Sequence, residues 1–427
     1  MRDLLPEEAR LRRALSRRLL DHFALYGYQL VTPPVFEFAE VLERGLGTLD
    51  PSDVLRFVEP ESGEVAALRP DMTPQIARMV ATRLGREPLP IRLCYEGTIV
   101  RRRQGRARRH RQIPQAGVEL YGSPKSAGDI EILRLAREAL RAAKLRDFVI
   151  DLGHAKVART LLEALPPGLA EEVSAALEQK DIERIHAELH ASPASAVPAK
   201  VARALLELSD LHGGDGTEAT AMALFRRAEA ILAGTPAEGP LEELRALFGA
   251  AIREEPDLAP AIRLDLGEVR GFAYYTGMIF HLLARGPGEP IGAGGRYDAL
   301  LARFDMPMPA VGFALHLDAI AWARQAQGVT DERPPSVLIA QGEPLARELA
   351  QGLRARGIAA ALHPEEGAFE YAAAWHFTHL IEPAVDGALP FTLSRVTADV
   401  DQRSAPATPC PGDAEALARL LLQKEEH

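Results

Sequence analysis

Residues 94–122 read CYEGTIVRRRQGRARRHRQIPQAGVELYG. Apolar residues at both ends of this stretch predict two strands, Ile91–Val100 and Gln115–Tyr121, separated by a basic, solvated loop. Gln115 and Glu119 stand four apart in the second strand, so with side chains alternating at every residue both point to the same face. On a solvent face they would be ordinary surface polarity. On an inner face their burial is costly unless a ligand satisfies them, and an amide plus a carboxylate suits an imidazole ring or an ammonium group.

Upstream, Leu11, Leu15, Leu19 and Phe23 recur at steps of four and predict an amphipathic helix closed by Gly27. A strand over Tyr28–Thr32 stops at Pro33-Pro34. Further strands are expected at Ala66–Arg69 and Phe148–Leu152, with helices over Met72–Leu84 and Ala127–Ala143. From 156 to 255 the texture turns to Ala, Leu and Glu with almost no β-branched runs, which predicts a helical insertion. Strand-like sequence resumes at Ile262–Leu266, Ala273–Ala284 and Gly292–Gly294, then a helix at Arg296–Phe304. The first domain, 1–155, therefore continues over 256–325. QAQGVTDERPP, 325–335, reads as a linker. The remainder, 336–427, alternates strand, helix and strand, as a small α/β unit with parallel pairing does.

The bulk properties narrow the function. At 427 residues, 47% hydrophobic and 26% charged, the chain falls in the range of globular proteins with two or three domains. No apolar run approaches the ~20 residues that span a bilayer, and no signal peptide follows Met1, so a cytoplasmic protein is expected. Cys94 and Cys410 stand alone, without the Cys/His clusters of a metal site. A net charge of −10 argues against a general nucleic-acid binder. The basic run from Arg101 to Arg111 lacks the interleaved aromatics that would stack bases.

Two other blocks carry polar chemistry. In LRPDMTPQIARMV, 68–80, a strand gives way to a helix at Asp71 and Thr73. These two could cap the helix, or bind an ammonium group through charge and a directed hydroxyl. VRGFAYYTGMIF, 269–280, groups Arg270, Tyr274 and Tyr275, with Gly294-Gly295-Arg296-Tyr297 downstream.

The order and spacing of these blocks resemble the histidine pocket of histidyl-tRNA synthetases over 1–155 and 256–325, with a fainter likeness in the C-terminal unit, whose synthetase counterpart binds the anticodon. The resemblance implies an α+β fold: a class II aminoacyl-tRNA synthetase-like antiparallel core with a helical insertion and a vestigial anticodon-binding-like α/β domain. It implies that Asp71 and Thr73 hold the amino group of histidine. Arg101 and Arg270 would flank its carboxylate, Gln115 and Glu119 would complete the amino-group and ring environment, and Tyr274, Tyr275 and Tyr297 would line the imidazole. Asp71 stands where the synthetases have Glu.

The ATP half of the resemblance fails. Arg103 occupies the place of the adenine-contacting acid, and Ala319, in PAVGFALHLDAI, that of the arginine that clamps the γ-phosphate. His316 replaces a small glycine, and Ala273 an acid in the tyrosine block. One lost charge partner removes about 3 kcal/mol of transition-state stabilisation, a hundredfold or more in rate. A retained amino-acid pocket beside a dismantled nucleotide site resembles the regulatory subunits of ATP phosphoribosyltransferase. That family implies a non-catalytic protein without a cofactor. It implies a short catalytic subunit as partner in a hetero-octamer of four plus four, self-association as a dimer, and L-histidine as feedback effector. The alternatives are a divergent working synthetase and a histidine-dependent protein of another pathway.

Overall fold

The structure, a computed structural model, describes residues 3–46, 54–101, 112–193, 197–269, 274–341, 344–364, 366–384, 389–396 and 407–423. The chain divides into two compact units, Met1–Thr330 and Asp331–His427.

The first unit opens with α1 (Pro6–Leu25), which buries Leu15, Leu19 and Phe23, three members of the predicted stripe, and leaves Leu11 half-buried. β1 (Gln29–Val31) follows, then β2 (Phe36–Phe38), α2 (Ala39–Leu46), β3 (Arg56–Val58), β4 (Val65–Leu68) and α3 (Thr73–Met79). The helix expected as far as Leu84 changes pitch at Val80 into a π turn. The deciding stretch forms the long antiparallel pair β5 (Ile91–Val100) and β6 (Gln112–Tyr121). β6 starts three residues earlier than expected and takes in Pro114. That proline fits because β12, on the other side of β6, ends at the Gln115–His316 pair, so Pro114 has a ladder partner on one side only.

After α4 (Ala127–Ala142) and β7 (Phe148–His154) come the helices α5 (Ala155–Leu162), α6 (Pro167–Glu178), α7 (Ile182–Ala191) and α8 (Ala199–Leu208). A two-residue strand β8 (His212–Gly213) precedes α9 (Glu218–Leu232) and α10 (Glu238–Glu254). Then β9 (Ile262–Asp265), β10 (Met278–Ala284), β11 (Gly292–Arg296), β12 (Ala310–His316) and α11 (Leu317–Ala326) complete the unit. Nine strands make one sheet, in the order β1-β5-β6-β12-β11-β10-β7-β9-β8, antiparallel except for β1–β5 and β7–β9. One face buries Phe23, Val118, Phe280 and Phe313 in a core continuous with Leu161, Phe225 and Phe248 of the helical segment. A second cluster holds Met72, Ile76, Tyr95, Tyr121, Tyr274 and Tyr297.

The helix expected over Arg296–Phe304 is a correction. Arg296 closes β11, and only Leu301–Phe304 coils, as a 3-10 turn. The reason is electrostatic: Arg296, 1% exposed, donates to Asp129 at 2.7 Å and to Asp298 at 2.9 Å, and Tyr297 N–H donates to Ala310 at 2.8 Å. These bonds hold the backbone in the sheet.

In the second unit β13 (Ser336–Gln341), α12 (Pro344–Ala355), β14 (Ala359–Pro364), α13 (Ala368–Ala374), β15 (His379–Pro383), β16 (Phe391–Arg395), β17 (Thr408–Cys410) and α14 (Ala414–Gln423) build a sheet of order β14-β13-β15-β16-β17. β13 is parallel to both neighbours. Val337 and Ile339 face one core, and Leu338 and Ala340 face another, so its unbroken apolar run is that of a strand covered on both faces. Cys94 and Cys410 are both buried, and burial pushes each thiol up to about 11. Among the described residues no helix is long and apolar enough to cross a membrane.

Arg296→Met should lower stability by about 3–5 kcal/mol, because it leaves the Asp129 carboxylate buried without its partner. A urea midpoint lowered at unchanged m-value checks this.

Candidate ligand-binding site

The residues singled out in the sequence meet on the face of the large sheet opposite the helical core. Alternation places Gln115, Gly117 and Glu119 of β6 on this face, opposite His316, Ala314 and Gly312 of β12. The glycines keep the floor open: a Cβ at Gly312 would press into the Glu119 carboxylate and sit 2.7 Å from the Tyr297 hydroxyl. A cavity of about 360 Å³ results, lined by seven of the nine expected residues: Asp71, Thr73, Arg101, Gln115, Tyr274, Tyr275 and Tyr297. Glu119 lies directly behind, bonded to Thr73. Arg270, together with Arg103 and Ala273 and the rest of the basic run beyond Arg101, lies outside the described residues.

Asp71 and Thr73 sit where β4 runs into α3. One Asp71 oxygen accepts the Met72 N–H at 2.7 Å, and the other accepts the Tyr274 hydroxyl at 2.6 Å. Thr73 turns its hydroxyl away from the helix end and donates it to Glu119 Oε1 at 2.6 Å. Both carboxylates are buried, at 3% and 1% exposure. Burial pushes the Asp71 carboxyl up, opposed by the Arg101 guanidinium and the Tyr274 hydroxyl. Glu119 is held well above the usual carboxylate range by burial, with the Thr73 bond opposing this and the charge of Asp71 adding to it.

The remaining acceptors are unspent. Gln115 Oε1 and Glu119 Oε2 have no hydrogen-bond partner among the described residues, nor does the Tyr297 hydroxyl. Tyr274 and Tyr297 meet edge to face at 5.5 Å between ring centroids, and Tyr274 and Tyr275 are 4.9 Å apart. They form an aromatic wall suited to a flat ring. Arg101, whose Nε donates to Pro70 O at 2.8 Å, brings a cation to the same cavity. The arrangement fits a small ligand that carries a cationic donor for the two carboxylates, a planar polar ring for the tyrosines and an anion for Arg101.

His316, expected only as an obstacle to a nucleotide, lines the cavity beside Gln115, its Nδ1 3.1 Å from Pro290 O. Ala319 does not line it. Its side chain belongs to the hydrophobic core with Leu317 and Ile320. His281 is a lining residue that sequence reading missed, with Nδ1 3.6 Å from the buried Glu268 carboxylate. The alternation of β10, which puts Ile279 and His281 on one face, was the available signal.

The raised Glu119 carboxyl sets a stability test. The native state holds this proton to higher pH than the unfolded chain, whose carboxylates titrate near about 4.3, so the contribution of Glu119 to stability falls as pH rises through that window. Glu119→Gln should raise the melting temperature of the ligand-free protein by a few degrees at neutral pH, with the gain shrinking toward pH about 4. Thermal scans across that range check this.

Comparison with known proteins gives the family of the chain. The family model of the histidyl-tRNA synthetases matches residues 1–320. An ATP phosphoribosyltransferase regulatory subunit from Moorella thermoacetica is 40% identical over 386 residues, covering 87% of this chain and 93% of that one. One from Anaeromyxobacter dehalogenans is 42% identical over 322 residues, covering 74% of this chain and 88% of that one. Among solved structures, an ATP phosphoribosyltransferase regulatory subunit/histidyl-tRNA synthetase from Bacillus halodurans superposes with a TM-score of 0.73 at 26% identity, over 90% of this chain and 96% of that one. A histidyl-tRNA synthetase from Nostoc shares the fold, with a TM-score of 0.77 at 19% identity over 99% and 97% of the two chains. The chain belongs to the family of ATP phosphoribosyltransferase regulatory subunits, which is built on the fold of the histidyl-tRNA synthetases.

Proposed function

We propose that the cavity is the site where this regulatory subunit reads free L-histidine. As a member of its family the chain is a non-catalytic protein of histidine biosynthesis. The observation that carries the proposal is the buried acceptor set: two carboxylates, Asp71 and Glu119, and Gln115 Oε1, unpartnered among the described residues, beside three tyrosine rings. Buried acceptors of this density are costly in the empty protein and are repaid by a ligand that brings donors. The α-ammonium of histidine meets Asp71, Thr73 and Glu119, its ring lies against the tyrosines with a nitrogen toward Gln115, and its carboxylate meets Arg101, with Arg270 as second partner.

In this reading the chain is required for activity of the short catalytic subunit and transmits inhibition by the end product. Histidine resembles neither ATP nor a phosphoribosyl donor, so it needs a site of its own, and binding one state of the complex more tightly supplies the coupling. The positions expected for nucleotide binding support a sensor over an aminoacylating enzyme, since Ala319 is a core residue and His316 fills the floor. We also propose that two copies associate through the small sheet β2-β4-β3 and the edge strand β1. Phe36, Phe57, Val58 and Val65 are solvent-exposed there, with Leu30 on β1 58% exposed, and an apolar patch beside an open strand edge is a pairing surface. A cytoplasmic assembly of four regulatory and four catalytic chains completes the proposal.

The test is the activity of the short catalytic chain with and without this protein, across histidine concentrations. Activation that histidine reverses is expected, and histidine-dependent ATP–pyrophosphate exchange by this protein alone would contradict the sensor reading. Glu119→Ala should weaken histidine binding by about 3 kcal/mol, roughly a hundredfold, with assembly intact, by calorimetry and sedimentation.

A further inference from the structure

A second concavity of the first unit lies outside the tyrosine cavity. It is an open groove of about 550 Å³ between α5 and α6, with an apolar floor that includes Leu162 and Ala170. Its rim carries Glu163, Glu171 and Glu178, all exposed and none of them paired with a basic side chain among the described residues. Among the described residues one cation lines the groove, Arg159 on α5, and its charge is directed elsewhere: Nη1 donates to the backbone carbonyl of Tyr275 at 2.9 Å. Tyr275 is a wall of the tyrosine cavity. The next residue, Thr276, is tied to the sheet, its N–H donating to Arg296 O at 2.7 Å and its hydroxyl accepting from Asp298 N–H at 2.9 Å. The peptide that carries the Tyr275 ring is therefore held from one side by the sheet and from the other by a residue of the groove.

We infer that the α5–α6 groove receives a cationic amphipathic segment of the catalytic chain, and that Arg159 is the positioning residue that links the groove to the effector cavity. Three carboxylates around an apolar floor complement lysine or arginine beside apolar side chains, and they repel a phosphate backbone, which decides for protein over nucleic acid. An occupant that packs against the Arg159 stem shifts the guanidinium on which the Tyr275 carbonyl rests. A ligand stacked on the Tyr275 ring acts on the same peptide from the other side. The two sites then bias one element, the physical requirement for coupling. This inference rests on the histidine reading of the cavity for its second half only; the docking half stands by itself.

The experiment uses the full chain and the short ATP phosphoribosyltransferase catalytic chain. The triple variant Glu163→Gln, Glu171→Gln, Glu178→Gln should bind the catalytic chain about tenfold more weakly in sedimentation or calorimetry, with the salt dependence reduced and histidine binding to the isolated protein unchanged. Arg159→Ala should leave histidine binding to the isolated protein within about twofold while raising the histidine concentration that half-inhibits the complex about tenfold, and Arg159→Lys should restore part of the inhibition. A triple variant that binds the catalytic chain like the wild type overturns the docking site. Arg159→Ala complexes inhibited at wild-type histidine concentrations overturn the coupling. A wild-type protein that fails to bind histidine overturns the reading of the cavity instead, and leaves the result of the triple variant to decide the groove.

Discussion

The bond from Thr73 to Glu119 joins two parts of the chain that sequence keeps 46 residues apart, and it depends on a buried carboxylate. Glu119 lies on an interior strand of the nine-stranded sheet, the third from the β1 edge, and its side chain is 1% exposed. The surroundings reduce the cost of its burial without removing it: a hydroxyl from the start of α3, glycines opposite at Gly312 and beside at Gly117, and tyrosines rather than apolar rings around the rest. A core that kept only its own stability in view would place a leucine there. The carboxylate persists with one oxygen unpartnered among the described residues, and this is the observation on which the proposed ligand site rests.

The same sheet separates the cavity from its support. Its helical face is closed by α1, α4, α11 and the segment α5–α10 in one apolar core, so the sheet is rigid where it carries the cavity-facing residues. The other face holds polar side chains on strands whose register is fixed by that packing, because a slip of one residue would send Gln115 and Glu119 into the helical core. Arg296 ties these layers together. Its ion pair with Asp129 joins the end of β11 to the start of α4, and its backbone carbonyl holds the segment that bears Tyr274 and Tyr275.

Much of this was legible in the sequence for a local reason. Strand alternation assigned Gln115 and Glu119 to one face without any knowledge of neighbours, and steps of four fixed the buried stripe of α1. The helical texture of 156–255 was equally plain, since it needs only composition. The expected helix at Arg296–Phe304 was not, because its local sequence permits a helix and only a buried carboxylate 167 residues away makes the strand and turn preferable. His281 was overlooked for the converse reason. Alternation in β10 gives the face of His281, but a lone histidine in an apolar strand does not mark that face as the wall of a cavity.

The sequence by itself determined most of the elements and the side chains that could share a face, since each depends on neighbours within a few residues. Only the tertiary structure decided that Asp71, Glu119 and Tyr274 meet, that Thr73 bonds a carboxylate instead of capping its helix, and that Arg159 grips the Tyr275 carbonyl. Those contacts are between segments brought together by burial of the common core, and burial is a property of the whole chain, not of any stretch of it.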